Sequence, residues 1–126
     1  MNKKIKIMLA QLNSTVGDLE KNSKIVLETY YEASKQKVDI LAFPEMFLSG
    51  YQLQDLVLKK AFQEDVKNFL KILAKKCVAS TYLLLGAPIL EKEKLFNAYF
   101  LINKGKAKVI SKKFHLPNNS LFDEHR

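Results

Sequence analysis

The chain has 126 residues, 48% of them hydrophobic, with 4 Gly, 3 Pro, one Cys and a formal charge of +8 from 20 lysines and one arginine against 13 acids. That composition excludes disordered, collagen-like and disulfide-stapled classes, and the length fits a single domain or less. The lysines are dispersed and arginine, which reads guanine edges bidentately, is nearly absent, so the charge implies a solvated surface and no nucleic-acid partner.

Lys4 to Leu12 carries an apolar run, Ile5, Ile7, Met8, Leu9 and Ala10, of the kind found in a strand covered on both faces. It ends at Gln11, too soon for a signal peptide, and no apolar stretch reaches the roughly 18 residues of a membrane span. With a lone cysteine, a cytoplasmic setting and no membrane association are expected. Asp18 then stands where it can cap a helix, and Leu19, Val26, Tyr30 and Ala33 share one face of a helix predicted to run to about Gln36.

Val38 to Phe43 reads as a second buried strand, stopped by Pro44, which leaves Glu45 hanging just past a strand's C-terminal end. Its neighbours Phe43, Met46, Phe47, Leu48 and Tyr51 are apolar or aromatic and are expected to desolvate the carboxylate for use as a general base. After a looser stretch around Gln54 to Lys59, Phe62, Val66, Phe69, Leu70, Leu73 and Cys77 recur at helical spacing. Cys77 shares that stripe and so reads as a small buried hydrophobe, not a nucleophile.

Tyr82 to Gly86 is a third strand, and the alternation of strands and helices argues for parallel pairing, with the strand ends sharing one edge of the sheet. Leu95 to Ile102 and Ala107 to Lys113 then form an antiparallel hairpin through Asn103-Lys104-Gly105-Lys106. Lys113 falls at its far end, before Phe114-His115-Leu116-Pro117, where a partly buried ammonium can stabilise an oxyanion. His115 and His125 lack metal-ligand spacing, so no metal site is expected, and no phosphate-cradling glycine loop is present.

Ala10-Gln11-Leu12-Asn13, Val16-Gly17-Asp18, Phe43-Pro44-Glu45, Ser49-Gly50-Tyr51, Leu85-Gly86-Ala87-Pro88, Phe96-Asn97-Ala98, Lys113-Phe114-His115-Leu116-Pro117-Asn118 and Phe122-Asp123-Glu124 occur in the order found in the nitrilase, or carbon-nitrogen hydrolase, superfamily. The chain resembles the N-terminal portion, in this sequence residues 1–126, of the glutaminase domain in that superfamily's NAD-forming synthetase branch. The resemblance implies an α/β fold: an incomplete half of an α-β-β-α sandwich, a mixed sheet with two helices on one face. It also implies a Glu-Lys-Cys triad acting on the side-chain amide of glutamine, with Glu45 as the base and Lys113 as the oxyanion partner. Tyr51 and Glu124 match substrate-binding positions. Asn119-Ser120 stands where the superfamily commonly has Tyr-Gly.

The triad's cysteine would come further downstream, so the chain is expected to be inactive alone. ATP and magnesium would belong to a separate synthetase domain that uses the released ammonia to amidate deamido-NAD, leaving this chain no cofactor of its own. The open sheet edges leave room for a homo-oligomer or a complementing partner chain.

Overall fold

The computed structural model describes residues 4–50 and 60–114. In chain order the elements are β1 (Ile7–Leu9), α1 (Leu19–Lys35), β2 (Ile40–Ala42), α2 (Lys60–Lys76), β3 (Tyr82–Glu91), β4 (Lys94–Asn103) and β5 (Lys106–Phe114). They form an α/β fold with one mixed five-stranded sheet in the order β1-β2-β3-β4-β5. The first three strands are parallel neighbours joined through the helices, and the last two are antiparallel additions.

Both helices follow from their stripes. Asp18 caps α1, its carboxylate accepting the Lys21 backbone N–H at 3.0 Å, and Leu19, Val26, Tyr30 and Ala33 are all buried. The Tyr30 hydroxyl donates to the carbonyl of Thr81 at 3.1 Å and is close to that of Ala79 at 3.3 Å, tying the helix to the entry of β3. Phe62, Val66, Leu70 and Leu73 bury the matching face of α2. These residues join Leu41, Leu83, Leu85, Ala98, Phe100 and Ile102 in one core between the helices and a single face of the sheet. No helix among the described residues is long and apolar enough to cross a membrane.

Two expectations are corrected. The first strand is not covered on both sides by the described residues: Ile5, Ile7 and Leu9 are 65%, 58% and 66% exposed. Their side chains point to the face of the sheet opposite the helices, and a shallow apolar hollow on the sheet is lined by Ile5, Ile40, Tyr82, Leu84 and Leu101.

The third strand does not stop at Gly86 but runs through Pro88 to Glu91. Because β2 pairs only as far as Leu84, Pro88 has no strand neighbour on that side, so its missing N–H is tolerated. The strand then turns back through Lys92 and Glu93, with φ of 48° and 66°, in a tight hairpin that carries no glycine. The expected β4–β5 hairpin also turns on two residues of positive φ, Lys104 at 51° and Gly105 at 83°. Its ladder shifts register between Tyr99 and Phe100, leaving Ile110 as an extra residue in β5.

Candidate active site

Pro44 ends β2, and the chain then folds back across β3. Met46 adopts φ of 58°, the Leu48 N–H donates to the Gly86 carbonyl at 3.2 Å, and the Gly50 N–H donates to the Met46 carbonyl at 2.7 Å. Gly86 makes the crossing possible: a Cβ on it would sit 2.5 Å from the Met46 nitrogen and 3.0 Å from the Glu45 Cα. From the other side the loop is held by Asn22, which is wholly buried on α1. The Asn22 carboxamide accepts the Thr15 N–H at 2.7 Å and donates to the carbonyls of Thr15 at 2.7 Å and Leu48 at 2.9 Å. One side chain thus clamps residues 13–17 to the Glu45 loop.

Replacing Asn22 by Leu would orphan the Thr15 N–H and the Leu48 carbonyl, each costing about 1–3 kcal/mol when desolvated, while the Thr15 carbonyl would keep the Asp18 N–H at 3.2 Å. We expect urea unfolding to report a loss of about 3 kcal/mol, the groups being only partly cut off from water. A change within measurement error would show that the clamp is dispensable.

Glu45, past the end of β2, meets Lys113 from the outer strand β5. The Lys113 ammonium lies 3.2 Å from the Glu45 carboxylate, although 68 residues separate them along the chain (113 − 45). The two side chains are 67% and 49% exposed, Lys113 being the more open, so the ion pair adds little to stability, and its interest is chemical. This exposure corrects two expectations. Phe43, Phe47 and Leu48 do not wrap the carboxylate; they are at most 2% exposed because they pack into the core, the first two ring to ring at 4.8 Å. Lys113 is not half-buried either, because β5 is an outer strand exposed along its whole length.

Lys113 stands directly opposite Asn97 in the ladder, while its neighbour Lys112 stands opposite Ala98. The Lys112 ammonium pairs instead with Glu91 at 2.6 Å and sits over the Phe96 ring at 4.9 Å. Glu45 and Lys113 share a cleft of about 280 Å³ with Met46, Asn97, Ala98, Tyr99 and Ser111. The Tyr99 hydroxyl donates to the Phe43 carbonyl, fixing the last residue before Pro44. Burial, and secondarily the Glu45 charge, push the Tyr99 phenol above its ordinary range, which keeps that donor protonated.

Asn97, Tyr99 and Ser111 were not singled out as site residues from sequence. Tyr51, Glu124, His115 and His125 lie outside the described residues. No three His, Cys, Asp or Glu residues among those described are grouped so as to hold a metal ion.

Cys77 is fully buried just past α2, and burial pushes its thiol up to about 12 from an ordinary 9.0. At neutral pH that reduces the reactive thiolate by about a thousandfold. We expect thiol reagents at pH 8 to label the folded chain at least about 100-fold more slowly than the urea-unfolded chain. Equal rates would put Cys77 back among candidate nucleophiles.

Residues 6–126 match the carbon-nitrogen hydrolase family model. The chain is 38% identical over 126 residues to a glutamine-dependent NAD(+) synthetase of Rhodobacter capsulatus, covering 100% of the chain and 23% of that protein. It is 42% identical over 123 residues to one from Aquifex aeolicus, covering 97% and 21%. The chain therefore spans about a fifth of the length of these curated relatives.

Among solved structures, a glutamine-dependent NAD+ synthetase from Acinetobacter baumannii superposes with a TM-score of 0.79 at 26% identity, covering 97% of the chain and 23% of that protein. An amidase from Nesterenkonia shares the fold at a TM-score of 0.70 and 19% identity, with 87% and 42% covered.

Proposed function

The chain belongs to the carbon-nitrogen hydrolase family, and we propose that it forms the first part of a glutamine-amide-hydrolysing domain that supplies ammonia for the amidation of deamido-NAD. The observation that carries this reading is the 3.2 Å approach of Lys113 to Glu45 at a cleft past the end of a parallel strand. The names of the relatives make glutamine the substrate to test first.

In this reading a cysteine thiolate from a segment downstream of Arg126 attacks the amide carbon, forming a C–S bond and an oxyanion. The Lys113 ammonium stabilises that oxyanion. Glu45 accepts the thiol proton and delivers it to the amide nitrogen, so that the C–N bond breaks with ammonia as the leaving group. Water, deprotonated by Glu45, then cleaves the thioester to give glutamate and restore the thiol.

Tyr51 and Glu124 are assigned to holding glutamine. The uncovered apolar face around Ile5, Ile7, Leu9 and Tyr82 takes the remainder of the domain, supplied by further chain or by a complementing partner. ATP and magnesium act in a separate synthetase domain.

The purified 126-residue chain is expected to release no ammonia from glutamine. Release that survives Cys77→Ala would sink the proposal, since no thiol would then be taking part.

A further inference from the structure

We propose that the side-chain oxygen of Asn97 accepts an N–H from the carboxamide nitrogen of the substrate, which makes Asn97 the residue that selects primary amides at this cleft. The inference rests on reading the Glu45–Lys113 cleft as an amide-hydrolysing site.

Asn97 lines the cleft beside Glu45, Tyr99, Ser111 and Lys113, and the register sets it directly across from Lys113. Two of its polar neighbours already have partners: Lys113 contacts Glu45, and the Tyr99 hydroxyl is given to the Phe43 carbonyl. The Asn97 Oδ1 atom, by contrast, is buried and accepts no hydrogen bond from any described residue. A buried acceptor left unpaired is unfavourable, so a ligand that brings a donor to it is favoured over one that does not.

A primary amide brings two N–H donors on nitrogen and one acceptor oxygen. With its carbonyl oxygen toward the Lys113 ammonium, its nitrogen is left to the Asn97 oxygen. An ester or a carboxylate presents only lone pairs at that position and would leave Oδ1 desolvated and opposed by a second oxygen. Sites built around such a hydrogen bond reject analogues that lack the donor far more strongly than apolar pockets reject a missing methylene. Asn103, the other residue of β4 with an unpaired buried amide atom, offers a nitrogen donor instead of an acceptor and stands at the opposite end of the strand.

The test is an NMR titration of the 126-residue chain with L-glutamine and, separately, with L-glutamate γ-methyl ester, following the signals of Glu45, Asn97, Ser111 and Lys113. Glutamine should shift the Asn97 side-chain carboxamide together with Lys113 and bind at least about 10-fold more tightly than the ester, the equivalent of 1.4 kcal/mol. Asn97→Leu should abolish the preference, weakening glutamine and taking away the oxygen that opposes the ester, and Asn97→Asp, which keeps an acceptor oxygen, should restore the preference.

If the leucine variant does not fold, Asn97→Ala carries the same comparison, since it too lacks an acceptor and adds no bulk. Equal binding of amide and ester by the unsubstituted chain, or movement of Glu45 and Lys113 without Asn97, overturns the Asn97 assignment alone. If neither compound moves Glu45 or Lys113, the cleft is not an amide site and both readings fall together.

Discussion

In a protein that extends this chain to the length of its synthetase relatives, Glu45→Gln is expected to lower glutamine-driven product formation by about 10³-fold or more while leaving synthesis from free ammonia unchanged. The substitution keeps the size of the side chain and removes only its ability to take and return a proton. Lys113→Ala should cost about 10²–10³-fold by removing the fixed positive charge from the developing oxyanion. The two groups lie 3.2 Å apart and in the proposed mechanism act on one intermediate, so the double substitution should be little worse than the more damaging single one. Steady-state rates with glutamine and with ammonium chloride as alternative nitrogen sources make the measurement. Loss of both activities would indicate unfolding, and retention of the glutamine-driven rate in Glu45→Gln would remove Glu45 from the chemistry.

Gly86→Ala should have the next largest effect, although residue 86 carries no chemistry. The added methyl carbon would lie 2.5 Å from the Met46 nitrogen and within about 3.1 Å of two Glu45 backbone atoms, all main chain, so no side-chain rotation can relieve the overlap. The Glu45 loop must lift off β3, which loosens the Leu48-to-Gly86 hydrogen bond and carries Glu45 away from Lys113. Overpacking of this sort costs about 1–3 kcal/mol in stability. Displacing a reacting group by an ångström is enough to lower turnover about 100-fold. Urea unfolding and glutamine-driven turnover of the extended protein should therefore both fall, with ammonia-driven synthesis spared. A variant with unaltered turnover would show that the loop's seat on β3 does not set the position of Glu45.

The elements most legible in the sequence were those whose residues repeat a signal several times. The stripe of Leu19, Val26, Tyr30 and Ala33 and that of Phe62, Val66, Phe69, Leu70, Leu73 and Cys77 each lie on one face, and all are buried except Phe69, which is partly so. Gly105 announced the β4–β5 turn because positive φ favours glycine. Nothing announced the turn at Lys92 and Glu93, where two ordinary side chains adopt the same left-handed backbone under the demand of long flanking strands.

The environment of Glu45 was misjudged for a related reason. Of its apolar neighbours in sequence, Met46 lines the cleft with it, but Phe43, Phe47 and Leu48 turn into the core while the carboxylate turns out. Asn97 and Tyr99 were passed over as site residues because polar groups at every second position of a strand look like an ordinary solvated face. Only the tertiary fold reveals that this face carries the cleft.

The extra residue at Ile110 decides which of two identical neighbours serves the cleft. Side chains alternate along a strand, so parity alone determines whether position 112 or position 113 looks toward Asn97. Up to Val109 each ladder pair sums to 209, as in Phe100 with Val109; from Ser111 onward each sums to 210, as in Asn97 with Lys113. Had the first count continued, Lys112 would stand opposite Asn97, and Lys113 would move to the face where Lys112 now meets Glu91. Two adjacent ammonium groups of the same chemistry are thus given different duties by an odd residue in the strand, a distinction set by arithmetic along the backbone and not by the side chains themselves.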